Sequence, residues 1–146
     1  MPESILPVVT HKVADLPLAD RLLVQAALTV RLRAHAPYSK FLVGAALHAT
    51  EGKLFSGCNV ENASYGLTNC AERTAIFSAV AAGEKTFSRL VIASAGGVTP
   101  CGACRQVLAE FAPNLSILLV DSDHPEQAIE VNLAHLLPGR FIFDRS

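Results

Sequence analysis

Two short segments carry the residues whose types and spacing could do chemistry. One holds Cys70 and Glu72 in the order Cys-x-Glu, and the other holds Cys101 and Cys104 in the order Cys-x-x-Cys. Both segments follow predicted strands and begin predicted helices, and a helix N-terminus stabilises the thiolate that binds a metal. Three sulfur ligands would leave a zinc ion one open position for water, the arrangement of a catalytic zinc site. Glu72 would then act on that water as a proton shuttle.

Simpler interpretations exist for each residue. A Cys-x-x-Cys pair alone usually indicates structural zinc or redox chemistry, and Cys58 could close a four-sulfur structural site. Glu72 could be the third residue of a capping box that begins at Asn69. Arg73 could be a surface charge, or a cation that offsets the negative charge of three thiolates. The combination of Cys-x-Glu with Pro-Cys-x-x-Cys, 30 residues apart, favours a zinc-dependent deaminase.

Longer motifs extend this pattern over most of the chain. From about Leu22 to Phe141 the sequence resembles the cytidine deaminase family. The matching motifs are Pro37-Tyr38-Ser39-Lys40-Phe41, Val43-Gly44-Ala45-Ala46, the run from Gly57 to Leu67, Cys70-Ala71-Glu72-Arg73-Thr74-Ala75, Pro100-Cys101-Gly102-Ala103-Cys104-Arg105-Gln106 and Leu136-Leu137-Pro138.

The resemblance implies roles for individual residues at the reacting centre. Cys70, Cys101 and Cys104 would bind one Zn²⁺ per subunit, and Glu72 would be the catalytic acid and base. Arg73 would donate hydrogen bonds to the ligand thiolates. The implied reaction is hydrolytic deamination of cytidine and 2′-deoxycytidine in pyrimidine salvage, with release of ammonia.

Further residues would hold the nucleoside, again by resemblance. Asn59 and Glu61 would bind a ribose hydroxyl, and two residues of one extended segment do point to the same side. Phe41 would pack against the nucleoside, and the Ala71 backbone would meet the pyrimidine edge. Asn59 and Glu61 could instead be ordinary loop polar groups, and Phe41 could serve packing alone.

The resemblance also implies an assembly. The family is typically a homotetramer with composite active sites, so Phe141 would stack on a base bound by a neighbouring subunit. Tyr65 would reach a site across an interface. Packing alone is the simpler role for Phe141. Alternatives for the whole chain are a deaminase of another aminopyrimidine nucleoside such as blasticidin S, a structural zinc module, or an editing deaminase of polynucleotides.

The elements that must position these residues follow from apolar patterning and from Gly and Pro signals. The predicted fold is a three-layer α/β/α arrangement with a mixed five-stranded sheet, in a single domain over residues 1–146. Helices are predicted over residues 17–34, 70–82 and 100–111, with a helical turn over 132–137. Strands are predicted over residues 41–49, 54–59, 90–95, 116–121 and 129–131, the first two forming a hairpin.

Composition limits the classes of partner. Of the 146 residues, 51% are hydrophobic and only 17% are charged, which favours a homo-oligomer. No apolar run approaches the ~20 residues of a membrane span. The net charge of −1 lacks the basic track of a nucleic-acid binder, so we expect a small nucleoside substrate, no nucleic acid and no membrane. Residues 1–5 lack the features of a secretory signal, which favours the cytoplasm.

Overall fold

The computed structural model describes residues 6–144, so the predicted absence of a signal over residues 1–5 falls outside it. In chain order, the strands are β1 (Val9–Lys12), β2 (Val43–Ala49), β3 (Leu54–Cys58), β4 (Phe87–Ser94), β5 (Ser116–Asp121) and β6 (Gln127–Asn132). The helices are α1 (Leu18–Arg31), α2 (Ala71–Ala81), α3 (Gly102–Phe111) and α4 (Leu133–Leu136).

The six strands form one mixed sheet in the order β1-β6-β5-β4-β2-β3. The hairpin of β2 and β3 lies at one edge, as predicted, and β4 and β5 form the parallel pair joined by α3. The prediction of five strands is wrong, because β1 pairs with β6 at the other edge. None of the four residues of β1 is buried, so the strand has no apolar face that a sequence pattern could reveal.

Helices cover both faces of the sheet, which confirms the three-layer fold. Leu23, Val24 and Ala27 of α1 pack on one face, against a cluster that includes Ala46 and Leu118. The other face packs against α2, α3 and α4 through the alternate residues of the same strands. Each central strand is therefore buried on both sides, and this explains its nearly continuous apolar sequence.

Several element boundaries differ from the predicted ones. The first helix ends at Arg31 and not at Ala34, since residues 32–34 form a hydrogen-bonded turn. Strand β2 begins at Val43, two residues later than predicted. Strand β4 begins at Phe87, three residues earlier than predicted, because the polar residues Ser88 and Arg89 interrupt its apolar pattern.

Gly57 of β3 allows α2 to approach the sheet closely. A Cβ atom at Gly57 would lie 2.5 Å from the Ala75 nitrogen and 2.7 Å from the Ala71 carbonyl oxygen. Only a residue without a side chain fits this contact. The close contact fixes the start of α2, and with it Cys70 and Glu72, against the strand that leads into Asn59. Within residues 6–144, no helix is long and apolar enough to cross a membrane.

Candidate metal centre and active site

Two helix N-termini bring three thiols together. Cys70 is the N-cap residue of α2 and Cys101 is the N-cap residue of α3, and neither makes a side-chain capping bond. Cys104 lies in the first turn of α3 and is fully buried. The Cys70 and Cys101 sulfurs are 3.9 Å apart, the Cys101 and Cys104 sulfurs are 3.6 Å apart, and all three lie within 4.8 Å of one another.

This geometry fits zinc. Sulfur ligands 2.3 Å from a tetrahedral zinc ion are about 3.8 Å apart, close to the observed separations. Among residues 6–144, the metal-binding group comprises these three thiols and does not include Cys58. The interpretation of Cys58 as the ligand that closes a four-sulfur site is therefore wrong. Cys101 is exposed, so the cluster has a side open to solvent where a small molecule can approach.

Arg73 supplies positive charge to the cluster from the first turn of α2. Its Nη2 donates a hydrogen bond to Cys70 Sγ at 3.2 Å. The pKa of Cys70 is lowered to about 5, first because the Cys104 thiol donates a hydrogen bond to it and then because Arg73 stabilises the thiolate. The pKa of Cys104 is raised, because its proton is held in the hydrogen bond to Cys70 and its side chain is buried. Metal binding would displace the remaining thiol protons.

Glu72 is buried beside the thiols, with only 5% of its surface exposed. Burial raises the pKa of its carboxyl group, and the negative charge on Cys70 adds to this effect. The capping-box interpretation is wrong, because the N-cap residue is Cys70 and the Asn69 side chain bonds to Thr74 instead. A glutamate buried next to a metal-binding cluster, and not used as a helix cap, is available for proton transfer.

Asn59 is buried and holds the segment that precedes β2. Its Oδ1 accepts a hydrogen bond from the Val43 amide at 2.8 Å, and its Nδ2 donates to the Phe41 carbonyl at 2.8 Å. These bonds explain why β2 begins only at Val43. An asparagine amide can make four hydrogen bonds, so half of its capacity remains for a ligand.

Glu61 holds the turn that precedes Phe41. Its Oε1 accepts the amides of Tyr38 at 2.9 Å and Ser39 at 3.2 Å, and its Oε2 accepts the Ser39 hydroxyl. The Ser39 hydroxyl is the main reason that the pKa of Glu61 is lowered. A cavity of about 320 Å³ opens here, and the residues that line it are Tyr38, Ser39, Glu61, Tyr65 and Thr68.

The aromatic residues predicted to contact substrate lie at the surface. Phe41 is 38% exposed, Tyr65 is 74% exposed and Phe141 is 71% exposed. Tyr65 makes an edge contact with Tyr38 at the cavity wall, with ring centroids 5.7 Å apart. Phe141 lines a different cavity and is not brought to Glu61 within one chain. We call Phe41, Tyr65 and Phe141 the aromatic rim.

Ala71 is fully buried as the first residue of α2. A residue at this position has a backbone N–H without an intrahelical partner, so the N–H is available to a ligand. Sequence reasoning assigned no role to Tyr38 and Ser39, although both lie in a motif of the resemblance. In the sequence, Tyr38 and Ser39 form a turn before an aromatic residue, and this pattern indicates only that a loop is present. It does not show that the loop lines a cavity.

A three-thiol metal centre with a buried glutamate, at the helix N-termini of a mixed α/β sheet, defines a metal-dependent hydrolytic enzyme. Residues 18–119 match the family model described as the cytidine and deoxycytidylate deaminase zinc-binding region. The chain belongs to this family. Its zinc-binding region contains Cys70, Cys101 and Glu72.

Individual relatives agree with the family match. A cytidine deaminase of Sporosarcina psychrophila is 50% identical over 113 residues, which are 76% of this chain and 82% of that protein. A cytidine deaminase of Halalkalibacterium halodurans is 44% identical over 124 residues, covering 83% of this chain and 92% of that protein. The crystal structure of a cytidine deaminase from Burkholderia pseudomallei matches with a TM-score of 0.77 and 48% identity, over 83% of this chain and 98% of that one.

Proposed function

We propose that this protein is a zinc-dependent hydrolase that converts cytidine and 2′-deoxycytidine to uridine and 2′-deoxyuridine and releases ammonia. The observation that carries the proposal is the cluster of three thiols at two helix N-termini, with Glu72 buried beside it, in a chain of this family. Cys70, Cys101 and Cys104 would hold one zinc ion per subunit in a single catalytic domain.

Glu72 carries both proton transfers of the proposed reaction. Bound zinc supplies the chemistry of acidifying a water molecule, so that water can attack carbon near neutral pH. Glu72 takes the proton of the attacking water and delivers it to N3 of the cytosine ring. It then takes the proton of the new hydroxyl on C4 and delivers it to the amine on the same carbon. The C4–N bond breaks, ammonia leaves, and the C4 oxygen becomes the carbonyl of the product. Burial excludes bulk water from the carboxyl group during these steps.

Arg73 keeps the cluster electrostatically balanced. Three thiolates on Zn²⁺ leave a net charge of −1, which alone would oppose ionisation of a bound water. The guanidinium donates to Cys70 Sγ at 3.2 Å and so withdraws charge from one ligand. A ligand sulfur that shares its charge with a cation donates less charge to the metal. The pKa of a water bound to that metal would therefore be lower.

Asn59 and Glu61 bind a sugar hydroxyl in the proposed complex. Each already fixes the backbone that leads to Phe41, through the bonds to Phe41, Val43, Tyr38 and Ser39. Two residues apart on an extended segment, their side chains lie on the same side, so they would offer a donor and an acceptor to one hydroxyl. Phe41 packs against the nucleoside, and the Ala71 N–H meets the pyrimidine edge.

The assembly that we propose is a homotetramer with composite sites. Phe141 and Tyr65 are more than two thirds exposed in one chain, and only 17% of the residues are charged. A neighbouring subunit would cover these side chains, with Phe141 stacking on a base bound by that neighbour. The proposed setting is pyrimidine salvage in the cytoplasm, without binding to nucleic acid.

A product assay tests the proposed reaction. The protein is incubated with cytidine, 2′-deoxycytidine, 2′-deoxycytidine 5′-phosphate and blasticidin S, and deaminated product and ammonia are measured together. We expect equal molar amounts of uridine and ammonia from cytidine, and the corresponding products from 2′-deoxycytidine. Faster turnover of blasticidin S than of cytidine would overturn the substrate assignment, and no turnover of any substrate would overturn the reaction.

A further inference from the structure

The segment of Asn59, Val60 and Glu61 is held from both sides by backbone pairing. On one side the His35 amide donates to the Asn59 carbonyl at 3.0 Å, and the Glu61 amide donates to the His35 carbonyl at 2.8 Å. On the other side Val60 and Asn69 exchange both of their amide bonds, at 2.9 and 3.0 Å. Asn69 immediately precedes the metal ligand Cys70, so the paired segment lies directly against the zinc centre.

The Thr74 hydroxyl connects Asn69 to Cys70 a second time. It accepts a hydrogen bond from Asn69 Nδ2 at 3.0 Å and donates one to the Cys70 carbonyl at 3.1 Å. The same carbonyl accepts the Thr74 amide at 3.0 Å. A hydroxyl that donates and accepts at once fixes the angle between its two partners.

Packing leaves Thr74 little room to move. A Cβ atom at Gly57 would lie 2.8 Å from Thr74 Cβ, which shows how closely this side chain approaches strand β3. The hydroxyl is thus fixed by α2 on one side and by the strand on the other.

We infer that Thr74 is a positioning residue for the nucleoside. Its hydroxyl ties the side chain of Asn69 to the carbonyl of Cys70, and the backbone of Asn69 pairs with Val60. The Thr74 hydroxyl, which touches neither substrate nor metal, therefore acts together with the Val60–Asn69 pairing and the Gly57 contact in setting the distance from the metal ligands to Asn59 and Glu61. The inference rests on the proposed function, in which Asn59 and Glu61 bind a sugar hydroxyl.

The test compares variants that keep or remove the hydroxyl. Thr74→Val preserves the branched shape and removes the two hydrogen bonds, whereas Thr74→Ser keeps the hydroxyl. Ser78→Ala is the matched control, because Ser78 lies one turn further along α2 and is exposed. Each zinc-loaded protein is assayed with cytidine and with 3′-deoxycytidine, and uridine binding is measured by calorimetry.

In the Thr74→Val variant we expect KM for cytidine and Kd for uridine to rise about threefold to tenfold, the range for loss of one net hydrogen bond. kcat should change less than KM. The 3′-hydroxyl is the ring hydroxyl that cytidine and 2′-deoxycytidine share, so we take it as the one bound by Asn59 and Glu61. The loss caused by removing it should shrink by the same factor, because the groups that bind it are displaced. Thr74→Ser and Ser78→Ala should behave as wild type. Zinc retention in competition with a chelator should be unchanged in all variants.

Three outcomes would overturn the inference. If Thr74→Val discriminates against 3′-deoxycytidine as strongly as the wild type does, the inference about Thr74 is wrong, and the proposed function is unaffected. The same conclusion follows if Thr74→Ser does not bind uridine as the wild type does. Equal use of cytidine and 3′-deoxycytidine by the wild type would overturn the sugar-binding assignment and the inference with it. If Thr74→Val does not fold, Asn69→Ala removes the same bond from its other end and carries the same expectations.

Discussion

The zinc centre and the aromatic rim differ in how much of each is completed within one chain. At the centre, Cys104 is fully buried and Glu72 is 5% exposed, and three thiols already lie at zinc-ligand separations. At the rim, Tyr65 and Phe141 are 74% and 71% exposed, and Phe141 is not brought to the cavity beside Glu61.

The difference separates two tasks. Proton transfer and metal binding need fixed distances, and helix N-termini packed on a buried sheet provide them. Substrate enclosure needs a surface that opens, and exposed aromatic side chains are a large apolar area for a partner to cover. The first two of the following changes each alter one region, the glycine substitutions compare the packing of the two, and the last change lies outside both.

Replacing the buried carboxylate should have the largest effect. Glu72→Gln keeps the shape of the side chain but cannot move protons, so we expect kcat to fall by at least about 10² to 10⁴, the value of one general acid–base step. The fall in kcat is measured from initial rates, followed by the ultraviolet absorbance of cytidine. Mass spectrometry shows whether the variant still contains zinc.

Glu51→Gln is the matched control, because Glu51 is exposed in the turn between β2 and β3. It should retain wild-type rates. Near-normal turnover by Glu72→Gln with zinc bound would show that the carboxylate has no part in the reaction.

Removing a rim residue should weaken substrate binding without touching the metal. Phe141→Ala deletes the proposed stacking surface, and base stacking on an aromatic ring contributes about 1–3 kcal/mol, so KM should rise about 5-fold to 150-fold. Steady-state kinetics and zinc stoichiometry separate the two effects. Loss of zinc in this variant would mean that rim and centre are not independent.

Substitutions at two glycines test how tightly the zinc centre and the aromatic rim are packed. Gly57→Ala places a Cβ atom 2.5 Å from the Ala75 nitrogen, whereas nothing lies within 4 Å of the corresponding atom in Gly66→Ala. We expect the first to lower the free energy of unfolding by about 1–3 kcal/mol and the second to leave it nearly unchanged. Urea denaturation of the zinc-loaded proteins measures both. Equal stability of the two variants would contradict the close packing of α2 on β3.

The smallest effect is expected from a charged group remote from both regions. Glu130 binds Ser116 at 2.7 Å, His11 at 2.7 Å and Arg89 at 3.1 Å, and its pKa is lowered, first by the Ser116 hydroxyl. Because the pKa of Glu130 is lower in the folded protein than in the unfolded chain, where it is about 4.3, its ionised form stabilises the fold at pH values above about 4.3. This contribution is lost as the pH falls through the pKa of the folded protein.

Glu130→Gln should therefore reduce stability by about 1 kcal/mol at pH 7, and the difference from wild type should vanish in acid. Unfolding curves at several pH values measure it. Zinc content and KM should not change. A change in either would show that general stability, and not local geometry, controls the two regions.

The grouping of the three thiols with Glu72 was predictable because their spacing is local. Cys-x-Glu and Cys-x-x-Cys each lie within one helix start, and their meeting follows from strands that end at one edge of the sheet. The structural role of Asn59 was not predictable. Its bonds to Phe41 and Val43 join positions 16 to 18 residues apart, and a sequence does not show which loop folds onto which.

Among the elements, sequence patterning found those with a buried face. Strand β5 was predicted with its observed bounds, since its four central residues are all buried. Strand β1 was missed because it is an edge strand without buried residues, held by backbone pairing alone. The link from Asn69 through Thr74 to Cys70 was also missed, because hydroxyl and amide groups in a helix start are usually caps.

Zinc titration of the metal-free protein tests the central claim most directly. Zinc is added in steps to protein stripped with a chelator, and cytidine consumption is followed at each step. The rate should rise linearly from zero and stop rising at one zinc per chain, because each chain holds one complete set of three thiols. Full activity without metal, or no activity at one zinc per chain, would contradict the claim that this centre performs the reaction.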